Sequence, residues 1–135
     1  MAGYSATPLW KKLGYASGTR AWVIGAPRSY TKLLTLPPEA KVTWLKGSEP
    51  GMKFVHLFAS EATSLEKQLG SLRREIAPAG VVWVSWPKKA SGVTTDITED
   101  TIRQLALPLG FVDIKVCAVN ETWSGLKLMI RRTER

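Results

Sequence analysis

Short runs of consecutive apolar residues, bounded by glycine, proline and polar clusters, recur along the chain. Ala21-Trp22-Val23-Ile24, closed by Gly25-Ala26-Pro27, and Phe54-Val55-His56-Leu57-Phe58-Ala59 have the pattern of strands buried on both faces. Val42-Thr43-Trp44-Leu45 and Val81-Val82-Trp83-Val84 predict two more strands. Between them, Leu65, Leu69, Leu72 and Ile76 share one helical stripe that would face a sheet. Ser60 is placed to cap that helix, and Pro78-Ala79-Gly80 to end it. Thr98 predicts the cap of another helix, with Glu99 and Asp100 in its first turn, a stripe of Ile102, Leu105, Ala106 and Leu109, and Gly110 as its stop. Two short helices are expected earlier. One has Thr7 as N-cap, Pro8 as first helical residue and Gly14 just past its end; the other runs from Tyr30 to Leu34 and stops at Pro37-Pro38.

The tail changes period. Val112, Ile114 and Val116 alternate with Asp113, Lys115 and Cys117, and Leu126, Leu128 and Ile130 alternate with Lys127, Met129 and Arg131. Two such segments joined across residues 120–125 predict an antiparallel hairpin. The order β-α-β-β-α-β-α-β-β then predicts one α/β domain over residues 1–135. Its form is a three-layer sandwich with a five- or six-stranded, mostly parallel sheet and an antiparallel C-terminal hairpin. One joint is short: residues 46–53 show no helix, whereas parallel strands usually need a crossover of about a dozen residues. Either this segment crosses in nearly extended form, or the second strand lies antiparallel at an edge.

Charge adds a partner class. The chain carries 19 Lys+Arg against 11 Asp+Glu, a net charge of +8. Residues 1–38 have no acid but contain Lys11, Lys12, Arg20, Arg28 and Lys32. Such an excess suits an anionic small molecule or a nucleic acid, and equally a solubilising surface. No signal-peptide pattern and no membrane-length apolar stretch is visible, so a reducing cytoplasm is the expected address. Cys117, the one cysteine, allows no internal disulfide, and no metal site is expected.

Ile76-Ala77-Pro78-Ala79-Gly80-Val81-Val82-Trp83-Val84 resembles the helix–turn–strand that precedes the fifth strand of class I S-adenosylmethionine-dependent methyltransferases. Gly110-Phe111 to Val116, with the strand that follows, is similar to that family's last two strands. The resemblance implies a Rossmann-like, methyltransferase-like topology from about residue 53 onward. The whole chain also resembles a bacterial domain-of-unknown-function family of short α/β proteins. That match is carried by Ala2-Gly3-Tyr4-Ser5, Thr7-Pro8-Leu9, Trp83 to Lys89, Thr98-Glu99-Asp100 and Val116 to Lys127. The methyltransferase resemblance implies a cofactor cradled by a glycine-rich turn after the first strand and by an acid ending the second. Here the turn is Gly25-Ala26-Pro27-Arg28, where proline has no N–H to offer, and Lys46 stands in the acid's place. No cofactor is therefore expected.

His56, mid-strand, is expected as a hydrogen-bonded core residue, and Cys117 as an inert packed thiol beside Lys115. Trp22, Trp44 and Trp83 lie inside predicted strands and are expected as core residues. The long loop at residues 87–96 is the main candidate for function, because it follows the fourth strand's carboxyl end, where open α/β sheets bind ligands. The expected site gathers the turn at 25–28, the loop at 86–96 and the connection at 120–125. Arg28, Lys88 and Lys89 would supply positive potential, and Ser91, Thr94 and Asn120 hydrogen bonds. Asp96 and Glu121 would orient the lysines or a ligand hydroxyl, with Trp86 or Trp123 as an apolar wall. Three functions fit: a non-enzymatic or vestigial methyltransferase-like binder of an anionic ligand or partner, a small transferase on a phosphorylated or nucleotide substrate, or a weak RNA-binding module.

Overall fold

A computed structural model describes residues 7–135; Ala2 to Ser5, part of the family resemblance, lie outside the described residues. The elements are α1 (Leu9–Leu13), β1 (Arg20–Ile24), α2 (Tyr30–Leu34), β2 (Thr43–Trp44), β3 (Met52–Phe58), α3 (Ala62–Glu75), β4 (Ile76–Pro87), α4 (Glu99–Ala106), β5 (Phe111–Ala118) and β6 (Trp123–Ile130). They build one six-stranded sheet in the order β2-β1-β3-β4-β6-β5. The pairs among β1 to β4 are parallel, and β6 runs antiparallel to both β4 and β5. The alternating tail thus forms the expected hairpin, with β5 as the outer edge.

Strand alternation sorts the side chains into two cores. On one face Val55, Leu57, Val82, Val84 and Trp86 meet Leu65, Leu69 and Leu72 of α3 and Ile102 of α4. On the other, Ala21, Phe54, Phe58 and Trp83 meet Leu9 and Leu13 of α1 and Tyr30 and Leu34 of α2. Helices too short to persist alone are held there by burial of these residues.

The short joint has a geometric explanation. β2 is only two residues long and pairs with the start of β1, Trp44 lying level with Ala21, while Phe54 of β3 flanks Ala21 from the other side. The segment between β2 and β3 crosses sideways past one strand, roughly two inter-strand spacings or 10 Å, with almost no travel along the sheet. No helix is needed, and β2 is parallel; as a two-residue edge strand it leaves Trp44 40% exposed rather than in the expected core.

Several boundaries differ from expectation. α1 starts one residue later, with Pro8 as N-cap rather than first helical residue. Ser60 is not the cap of α3; Glu61 holds that position without a side-chain bond. Ile76 leaves the helical stripe and begins β4 in extended conformation, paired with Met52. Pro78-Ala79-Gly80 is therefore an irregularity inside a long strand, not a turn before it. A side chain at Gly80 would come within 2.9 Å of the Met52 carbonyl oxygen, so only glycine lets the strand pass there.

Candidate functional site

The carboxyl ends of β1, β3 and β4 lie side by side. Gly25, at φ +71°, packs its turn against the end of β3, where an added Cβ would sit 3.0 Å from the Phe58 carbonyl oxygen. Pro87 pairs with Trp123, and the Lys88 N–H donates to the Thr122 carbonyl at 2.7 Å. The 86–96 loop and the hairpin connection are thus joined through their backbones. Arg28, Lys89 and Glu121 are exposed and Lys88 is half-buried.

Other expected site residues are committed elsewhere. Trp86 is 7% exposed, within the core under α3 and α4. Trp123 lies on the opposite face, with its ring perpendicular to Phe58 at 5.1 Å. The two cannot form one wall. Asp96 accepts a hydrogen bond from the Ala62 N–H at 2.8 Å, capping α3 from a distant loop. Thr95 ties the same loop to the Ser60 carbonyl. Ser91 donates to the Lys88 carbonyl and accepts from the Val93 N–H. Asn120 Oδ1 accepts from the N–H groups of Thr122 and Trp123, closing the hairpin turn. Thr94 is exposed.

A buried polar chain runs beneath the second face. The Tyr15 and Tyr30 hydroxyls are 2.7 Å apart, the Tyr30 hydroxyl is 2.8 Å from His56 Nδ1, and His56 Nε2 is 2.7 Å from Ser85 Oγ. His56 and Ser85 are both 0% exposed. Burial pushes the His56 pKa down to about 3, so the ring is neutral. It pushes both tyrosine hydroxyls up. Each group satisfies its neighbour, and no substrate can reach Ser85. The chain is a structural cross-link between α2, β3, β4 and the segment after α1. His56 was legible as a core residue, but its partners were not, because they come from four separate parts of the sequence.

Two cavities also escaped the sequence. One of about 510 Å³ opens at the amino edge, opposite the expected site, between Gly18, Arg20, Glu49, Lys53, Phe54 and Val81. Another, of about 400 Å³, lies on the α3 face over Trp22 and Ile24, where the helix-free crossover leaves the sheet partly bare. Among the described residues no cluster of His, Cys, Asp and Glu could hold a metal ion, and no helix is long and apolar enough to cross a membrane.

No protein-family model matches the sequence, and no curated protein matches it. Solved structures do. A SAM-dependent methyltransferase from Aquifex aeolicus superposes with a TM-score of 0.61 at 14% identity, over 90% of this chain and 87% of that one. The fold is methyltransferase-like. A TehB-like SAM-dependent methyltransferase from Corynebacterium glutamicum gives 0.57 at 11% identity, over 96% of this chain and 91% of that one. LepI in complex with SAM gives 0.53 at 11% identity; this chain spans 47% of its length. At these identities the likeness concerns the fold alone.

Proposed function

We propose that this chain uses the methyltransferase-like scaffold for binding rather than methyl transfer, and holds an anionic ligand or partner at the carboxyl edge through Arg28, Lys88 and Lys89. The observation that carries the reading is the Lys88–Thr122 backbone bond, which fixes consecutive lysines against the hairpin turn. The hydroxyls of Ser91 and Thr95 and the Asp96 carboxylate are bonded within the protein, so the loop's shape is set before any ligand arrives.

The cofactor that the neighbours' names imply does not fit the residues present. The turn after β1 offers one glycine, and Gly25 lies against the Phe58 carbonyl rather than around an open space. Pro27 supplies no donor, and no acid directly follows β2 in the sequence, where Lys46 stands instead.

The test is a titration with tripolyphosphate followed by backbone amide NMR. Shifts are expected to cluster at residues 25–28, 88–89 and 120–123, to weaken with added salt, and to vanish in the Lys88→Ala, Lys89→Ala double variant. Absence of shifts there, or shifts that survive the double substitution in a folded protein, would overturn the reading.

A further inference from the structure

The second face of the sheet is only partly roofed. α1 lies over β4, where Trp83 Nε1 donates to the Leu13 carbonyl at 2.8 Å. Beyond it, on β6 and β5, the side chains on this face reach solvent: Lys115 is exposed, while Lys127, Met129 and Cys117 are half-buried. Lys127 is flanked in register by Trp83 on one side and Lys115 on the other. Residues opposite one another on an antiparallel pair have Cβ atoms about 4.5–5.5 Å apart, and like charges there repel. Lys115 Nζ also lies 5.9 Å from the centroid of the Trp83 ring. A third cation, Lys12 in the last turn of α1, directly precedes Leu13, whose carbonyl holds Trp83 Nε1, and its charge acts with that of Lys115 on the Cys117 thiol.

Among the described residues none of the three lysines makes an ion pair. The acids that do pair are held by arginines: Glu49 by Arg20, Glu134 by Arg73 and Arg131, and Glu99, Asp100 and Asp113 by Arg103. Burial and the nearby Lys115 together disfavour the charged form of Lys127. A cluster of uncompensated ammonium groups on a half-dry floor is costly unless an anion neutralises it.

We propose that Lys12, Lys115 and Lys127 form a site for a phosphate-bearing ligand with two or more negative charges, on the open half of this sheet face and separate from the carboxyl edge. Lysine ammoniums act as point charges, which suits a phosphate group approached from several sides. Three cations without an acid match a multiply charged phosphate better than a lone carboxylate.

Cys117, the only cysteine in the chain, gives a local readout. A phosphate seated among the lysines covers the thiol and cancels the positive potential that favours its thiolate, so both effects slow alkylation. The experiment is the rate of N-ethylmaleimide labelling in pyrophosphate, against sodium chloride of equal ionic strength. Saturable slowing of about tenfold is expected, equivalent to about one pKa unit of thiolate or more. The Lys115→Gln, Lys127→Gln double variant and the Lys12→Gln variant should lose this protection, with circular dichroism verifying their fold. The Lys88→Ala, Lys89→Ala variant should keep it, which separates this site from the one at the carboxyl edge. Replacing pyrophosphate by a short oligouridylate identifies the source: protection at much lower concentration assigns the phosphates to a nucleic-acid backbone, and protection by pyrophosphate alone to a small molecule. Equal labelling in pyrophosphate, oligouridylate and chloride, or protection that persists in folded Lys115→Gln, Lys127→Gln protein, would overturn the proposal.

Discussion

His56 shows how one buried base can set the acid stability of a fold. It is enclosed between the Tyr30 hydroxyl and Ser85, stacked on Phe58 at 4.4 Å and fully buried, where a charged ring would lose its solvation. Its folded pKa falls to about 3 from the ordinary 6.5. Above pH ~6.5 both folded and unfolded chains hold it neutral, so the full stability is present. Between ~6.5 and about 3 the unfolded chain takes up a proton that the folded one refuses, and stability is lost progressively as pH falls. The onset lies above the carboxylate range, which separates it from Asp113, whose pKa is held down mainly by its hydrogen bond from Arg103. Urea midpoints measured against pH should decline from about 6.5 downward in the wild type. In a folded His56→Gln variant, less stable overall, that first part of the decline should disappear. An unchanged slope in the variant would assign the loss to other groups.

The elements themselves are stabilised by residues that sequence spacing does not connect. Asp96 caps α3 although 34 residues separate it from Ala62. Its carboxylate both accepts an otherwise orphaned N–H and faces the positive end of a 14-residue helix. Asp96→Ala should lower stability by about 1 kcal/mol, while Asp96→Asn, which keeps the acceptor, should lose less. Thermal or urea unfolding of the two variants measures the difference; equal losses would assign the whole effect to the charge and none to the acceptor, and no effect in either would remove the cap. The runs at 21–24, 54–59 and 81–84 and the stripe of α3 were legible because burial imposes their pattern. The Thr98 cap and the hairpin were legible too, although Ile114 and Val116 of β5 are each 47% exposed, so that alternation marks an extended edge strand rather than a buried face. The start of β4 was not legible, because Pro78 and Gly80 signal a turn locally while the pairing of Ile76 with Met52 is a tertiary event. The candidate site was legible in its backbone and not in its side chains. Loop position follows from element order, but whether Asp96, Ser91 or Asn120 faces a ligand or its own backbone depends on contacts that no local pattern encodes.

At the scale of the whole molecule, a methyltransferase-like topology is compatible with a different chemistry, because the layers depend on apolar faces and the carboxyl edge on a few loop residues. The decisive departure is the length of β2. Its last residue, Trp44, is level with Ala21, and β1 continues for three more residues to Ile24, roughly 10 Å at strand rise. β2 therefore ends well short of the carboxyl edge, and cannot place a side chain beside the turn at 25–28 as the methyltransferase resemblance requires. Electrostatics act in the same direction. S-adenosylmethionine carries a sulfonium cation, whereas the loops of this edge present Arg28, Lys88 and Lys89, within a chain of net charge +8. If the edge binds anions as proposed, its field would disfavour this cofactor as well. Isothermal titration of the full chain with S-adenosylmethionine should give no saturable heat at ligand concentrations up to roughly 100 μM, a dissociation constant that corresponds to about −5.5 kcal/mol. The same measurement with S-adenosylhomocysteine, which lacks the sulfonium charge, separates the two causes. If repulsion alone excluded the cofactor, the uncharged thioether would bind; with the second strand too short to hold the ribose, it should fail as well. Saturable binding of S-adenosylmethionine in the micromolar range would show that the edge closes around the ligand in a way that the short β2 and the Gly25–Phe58 contact do not allow.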